Sequence, residues 1–194
     1  MIRSVLGRID PAQLGVTLLH GHSTSDPDAL TTELDAFRLA GGNTVIEARP
    51  ASNHERLAEE PRVNIVRFPQ GLTYLLPDEP CQAFREMDRL QAKGTDLRNL
   101  AVHSADDRLA NLEALCSIAV RGAWLAIEAR IPAWQRSLKR LIEVGWAGQL
   151  LVGTRQCGTL DDSINSIRTA GFSHDLVEVL LVRNPRRYLA AESN

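Results

Sequence analysis

The sequence predicts an α/β fold built on a parallel sheet, because short apolar runs alternate with amphipathic segments and because cap signals fall where those segments should begin or end. Six runs are candidate strands: Val16–Leu19, Thr44–Glu47, Val63–Val66, Leu100–His103, Trp124–Ile127 and Leu150–Val152. Each is too short for a helix and almost unbroken in apolar character, as strands covered on both faces tend to be. Between the fourth and fifth runs, Leu109, Leu112, Leu115, Cys116 and Ala119 recur at helical spacing. After the fifth, Trp134, Leu138, Leu141 and Ile142 do the same, so both segments should lay an apolar stripe on the sheet. Thr159 followed by Asp162 resembles a capping box. Ser173 can cap a last helix carrying Leu176, Val177, Leu180 and Leu181, which Asn184-Pro185 should stop. The densest cluster of breakers, Gly71 to Pro80, carries no predicted strand.

Composition narrows the classes. A length of 194 residues with 44% apolar residues suits one domain with a sizeable core. With 24% charged residues and a formal net charge of -2, no global feature points to a nucleic-acid or membrane partner. Cys81, Cys116 and Cys157 are an odd count with no close pair, which reads as reduced thiols in a cytoplasmic protein. The opening MIRSVLGRID lacks the apolar run of a signal peptide, and no stretch approaches the roughly 20 apolar residues that span a bilayer.

Several segments together resemble one family. Val5-Leu6-Gly7-Arg8-Ile9, followed by Leu14-Gly15-Val16-Thr17-Leu18-Leu19-His20-Gly21-His22, resembles an N-terminal hairpin leading into a first barrel strand that ends in His-x-His. Val102-His103-Ser104-Ala105-Asp106-Asp107 and then Arg121-Gly122-Ala123-Trp124-Leu125 resemble a sixth strand, its helix and a seventh strand. Gly148-Gln149-Leu150-Leu151-Val152 resembles the eighth, and Asn184-Pro185-Arg186-Arg187-Tyr188-Leu189 a closing Asn-Pro segment. In this order they resemble the phosphotriesterase-like branch of the amidohydrolase superfamily. The matches are collinear and reach both ends, which makes them more specific than a lone His-x-His.

The resemblance implies a (β/α)₈ barrel hydrolase acting on phosphotriesters, lactones or related esters with two divalent metals. In that family one metal is held by the His-x-His pair and a strand-eight aspartate, the other by histidines of strands five and six, with a carboxylated lysine of strand four between them. His20, His22 and His103 match three of these ligands. Arg155 stands where the aspartate would be, Gly21 replaces the acid between the first two histidines, and nothing resembles strands four and five. The expected fold is therefore a truncated TIM-barrel-like (β/α) domain spanning 1–194, with six parallel strands and a deletion near residues 74–83. A complete barrel takes about 250 residues and eight strands, so closure needs a remedy. Either the third family strand pairs directly with the sixth, or a homodimer covers the gap.

Side chains two apart on a strand share a face, so His20 and His22 should both point into the barrel mouth. Three histidines with one open position suffice to bring a zinc-bound water to a pKa of about 7. The expectation is at most one divalent metal, zinc, on His20, His22 and His103, with Glu47 or Glu128 as fourth ligand or general base. Arg155, Arg49 and Arg67 near strand ends favour a small anionic substrate held by guanidinium forks. Structural alternatives stay open: histidines bonded to backbone or carboxylates without metal, Glu47 and Glu128 paired with arginines, and Arg155 filling the vacated metal space. Three functions follow: a single-metal hydrolase, a metal-independent acid–base enzyme of isomerase, cyclase or lyase type, or an inactive member that binds a small anion or a partner protein.

Overall fold

Ile2–Ser4 (β1) and Gly7–Ile9 (β2) pair antiparallel as the expected hairpin. The predicted runs form Thr17–His20 (β3), Thr44–Glu47 (β4), Asn64–Arg67 (β5) and, after a short additional strand Thr73–Leu75 (β6), Leu100–Ser104 (β7), Trp124–Glu128 (β8) and Leu150–Thr154 (β9). The helices are Pro27–Leu39 (α1), Pro80–Ala92 (α2), Leu112–Val120 (α3), Trp134–Glu143 (α4), Leu160–Thr169 (α5), His174–Glu178 (α6) and Asn184–Ala190 (α7). This computed structural model describes residues 1–21, 26–47, 63–68, 72–75, 77, 79–104, 111–128, 134–154 and 159–190.

Seven parallel strands lie in the order β5-β4-β3-β9-β8-β7-β6. The earliest of them, β3, pairs with the last, β9, as in a closed barrel, while no pairing joins β5 to β6 among the described residues. The fold is thus the truncated TIM-barrel-like sheet expected, with one strand more than predicted. Direct pairing of β5 with β7 does not occur, because β6 takes the free edge of β7. The breakers around Thr73–Leu75 bracket a strand rather than replacing one, and three residues are too few to show a pattern.

Alternation sorts the side chains into two layers. Leu18, Val45, Ile65, Val102, Leu125 and Val152 pack against helix residues that include Leu34 and Phe37 of α1 and Ile164 of α5. Leu19, Ile46, Val66, Ala101, Ala126 and Leu151 pack inside the curl with Ile2 and Leu14 of the N-terminal segment and Tyr188 of α7. Aromatic contact bridges the seam that lacks pairing: the Phe68 ring, just after β5, lies 5.7 Å from Tyr74 on β6 and 6.1 Å from Tyr188. The exposed edges are also partly occupied. Val5 N–H donates to Ile65 O at 2.8 Å, and the Tyr188 hydroxyl donates to Thr73 O at 3.3 Å.

Two cap expectations are corrected. Thr159 precedes α5, but its hydroxyl meets Thr154 Oγ1 at 2.6 Å instead of capping its own helix. Ser173 does accept the Leu176 N–H, yet the helix does not end at Asn184-Pro185: a π-helical Val179–Arg183 segment carries it into α7. Pro185 falls in the first turn of α7, where the missing N–H costs nothing. Asn184 donates to Ala147 O and Leu150 O, both at 2.7 Å, fastening α7 to the start of β9. No helix among the described residues is long and apolar enough to cross a membrane.

Candidate active site at the carboxyl ends of the strands

In a parallel sheet every strand ends on the same side, so His20, Glu47, Arg67, His103 and Glu128 all lie at one rim. Which face of the sheet each occupies is set by its parity.

His103 shares the parity of Ala101, and Glu128 that of Ala126, so both face the inside of the curl. The Tyr74 hydroxyl lies 2.5 Å from His103 Nδ1, and Glu128 Oε2 lies 3.6 Å from His103 Nε2. The imidazole is fully buried and Glu128 is 6% exposed. A carboxylate on the Nε2 side favours the tautomer with its proton there, leaving Nδ1 to accept from the Tyr74 O–H. Gly153 leaves the space that Leu19 needs beside this arrangement. A Cβ at that position would sit 3.1 Å from Leu19 O, 3.2 Å from Leu19 Cβ and 3.7 Å from His103 Nε2. The same contacts place Leu19 on the His103 side.

His20, the neighbour of Leu19, therefore faces the helices. It shares the parity of Leu18, and its Nε2 lies 3.8 Å from Glu33 Oε1 on the buried stripe of α1. Glu33 Oε1 accepts the Thr159 N–H at 3.2 Å, while Glu33 Oε2 is buried with no hydrogen bond among the described residues. Glu47 is in register with His20 and shares its face; it is buried at 1% exposure. Arg67, in register with Glu47 on the far side, is exposed.

The structure thus joins His103 to Glu128 and sets His20 beside Glu47 on the opposite face. His22, Arg49 and Arg155 lie outside the described residues, as do His54, Cys157, Asp106 and Asp107. Sequence reasoning missed three residues. Tyr74 lay in the breaker region, Gly153 carried no signal, and Glu33 was legible as an acid within the Leu30, Leu34 and Phe37 stripe of α1.

Among the described residues, the ion pairs at the rim join His20 with Glu33 and His103 with Glu128. Among the described residues the one group of three donors within 4.8 Å of one another is His174, Asp175 and Glu178, on α6. A zinc centre needs at least three protein ligands, so neither rim pair by itself fits one.

No family model matches the sequence, and no curated protein does. Solved structures do match. The chain is similar to a lactonase from Listeria monocytogenes at 14% identity and TM-score 0.77, with 97% of this chain and 98% of that one covered. It is similar to an amidohydrolase from Mycoplasma synoviae at 12% identity and TM-score 0.74, covering 97% of this chain and 91% of that one. At these identities the likeness is one of fold, shared with that lactonase and that amidohydrolase.

Proposed function

We propose that the chain is a hydrolase that opens an ester or lactone bond of a small anionic molecule by acid–base chemistry at Tyr74, His103 and Glu128. One observation carries this reading: a buried imidazole held on one nitrogen by a tyrosine 2.5 Å away, with a carboxylate 3.6 Å from the other, at the carboxyl ends of parallel strands. Glu128 takes the proton of a water as it attacks the carbonyl carbon. The Nε2–H of His103 faces that carboxylate and holds its place, and Glu128 then gives the proton to the alkoxide leaving group when the C–O bond breaks. Tyr74 fixes the ring and its tautomer. Arg49 and Arg155, which follow β4 and β9 in sequence, supply the anion contacts; Arg67, expected to join them, shares the face of Ile65 and Glu47, away from His103. The shared fold of a lactonase supports lactones as the first substrates to try.

The metal-bearing form of the reading places one zinc on His20, His22 and His103. The two histidine–carboxylate pairs on opposite faces favour the metal-free form. A panel of lactones and carboxyl-bearing esters, assayed before and after exhaustive chelation, separates them. The expected outcome is turnover that survives chelation and falls by about 10²-fold or more in Glu128→Gln and His103→Asn proteins of unchanged melting temperature. Equal activity in those variants, or no turnover of any member by the unmodified protein, sinks the proposal. Loss on chelation with recovery on zinc transfers it to the metal-bearing form.

A further inference from the structure

A hollow lies at the end of the strands opposite the rim that carries His103 and Glu128. It is bounded by Val16 just before β3, by Arg168 near the end of α5, by Phe172, and by α6 with the π-helical segment after it, and encloses about 380 Å³. That is within the usual size range of small-molecule sites. Its walls are apolar: Val16, Phe172, Val177, Leu181 and Val182. The wider π turn at Val179–Arg183 supplies the last two, and such turns recur where helices make room for ligands.

The polar part of the lining is Arg168, His174 and Glu178. Glu178 is already engaged: the Arg183 guanidinium donates to it at 3.0 Å and holds its carboxyl below the usual carboxylate range. Arg168 has no carboxylate within 4 Å among the described residues. One of its nitrogens donates to Ala40 O at the end of α1, which leaves the rest of the fork available. Gly41, at φ +87°, makes this possible, since a Cβ there would stand 2.9 Å from Arg168 Nη2. The His174 imidazole stands within 4.8 Å of the Asp175 and Glu178 carboxylates, so among the described residues the Arg168 guanidinium is the charge beside this apolar hollow with no carboxylate within 4 Å.

We propose that this hollow binds a small amphiphile, a single carboxylate on an apolar chain. The carboxylate meets the Arg168 fork and the chain lies against Phe172, Val177 and Leu181. The site stands apart from the hydrolytic centre and does not depend on it.

Calorimetric titration with sodium octanoate, and with 1-octanol as the uncharged chain of equal length, tests the assignment. Saturable octanoate binding with a dissociation constant below about 1 mM is expected, together with weaker octanol binding. Arg168→Gln should weaken octanoate about tenfold and leave octanol unchanged. Val177→Trp, which fills the hollow, should abolish both; should that protein not fold, Arg168→Gln decides alone. Glu128→Gln should bind octanoate as the unmodified protein does. Absence of saturable binding, or binding that Arg168→Gln leaves untouched, overturns the proposal.

Discussion

His103 and His20 are both strand-end histidines, 0% and 1% exposed, yet their surroundings differ in kind. His103 faces the inside of the curl, where a tyrosine fixes it and a carboxylate near the rim can reach water. His20 faces the helices. Its partner Glu33 rises from the apolar stripe of α1 and also holds the first N–H of the α5 turn through Thr159. A carboxylate buried in such a layer costs several kcal/mol unless it is bonded, so the His20–Glu33–Thr159 group works as a fastener between β3, α1 and α5. Residue type and position along the strand are alike in the two cases. Parity relative to the core separates the group we propose as reactive from the one we propose as structural.

The contrast can be broken most directly by exchanging the damage. His103→Asn and Glu128→Gln are expected to lower kcat/KM on the best lactone by about 10² to 10⁴-fold, with little change in melting temperature. Glu33→Ala should do the opposite. It removes the Thr159 contact and the His20 partner, costing about 3–5 kcal/mol by urea unfolding while activity per folded molecule stays within about threefold. His20→Asn should follow Glu33→Ala at smaller amplitude, about 1–3 kcal/mol. A His20→Asn protein of normal stability and no activity would reverse the comparison and restore the metal-bearing form.

The two faces also show what a sequence of this kind can tell. The strands were legible because parallel strands covered on both sides read as unbroken apolar runs. The same property hides their phase. Leu18 and Leu19 are equally apolar, so nothing in Val16–Leu19 says which of them faces the helices, and the direction of His20 follows from that choice. The same difficulty holds for His103, since Ala101 and Val102 are both apolar and only the structure puts them in different layers. Tyr74 was hidden for another reason. A strand of three residues among prolines and glycines offers neither period nor length, and only its pairing with β7 reveals it. Glu33 was the readable omission, because an acid at helical spacing among Leu30, Leu34 and Phe37 is a polar group aimed at a core.

Gly153→Ala sharpens the comparison at the place where the inner face is tightest. The new Cβ would press on Leu19 O and Leu19 Cβ at 3.1 and 3.2 Å and approach His103 Nε2 at 3.7 Å. Crowding of this order against Leu19 costs about 1–3 kcal/mol, and the shift of β3 or β9 that relieves it, next to the imidazole, should lower kcat more than it raises KM.

The smallest effect tests the floor of the same face. Tyr188 is fully buried between β6, β8 and the segment after β5, with its hydroxyl on Thr73 O, and burial pushes its phenol well above the ordinary value near 10. Because the folded-state value is the higher one, the unfolded chain ionises first. The contribution of this group to stability is therefore present below about pH 10 and is lost as pH rises beyond it. Tyr188→Phe should cost about 0.5–1.5 kcal/mol at pH 7 through the missing hydrogen bond, and its stability should then fall less steeply than that of the parent protein above pH 10. The chain has two tyrosines, so absorbance at 295 nm can follow them separately. Tyr188 should ionise only together with loss of the near-ultraviolet dichroism of the fold. Ionisation of both tyrosines in a protein that is still folded would mean that water reaches the floor of the curl. The aromatic bridge across the seam would then not seal the inner face on which His103 depends.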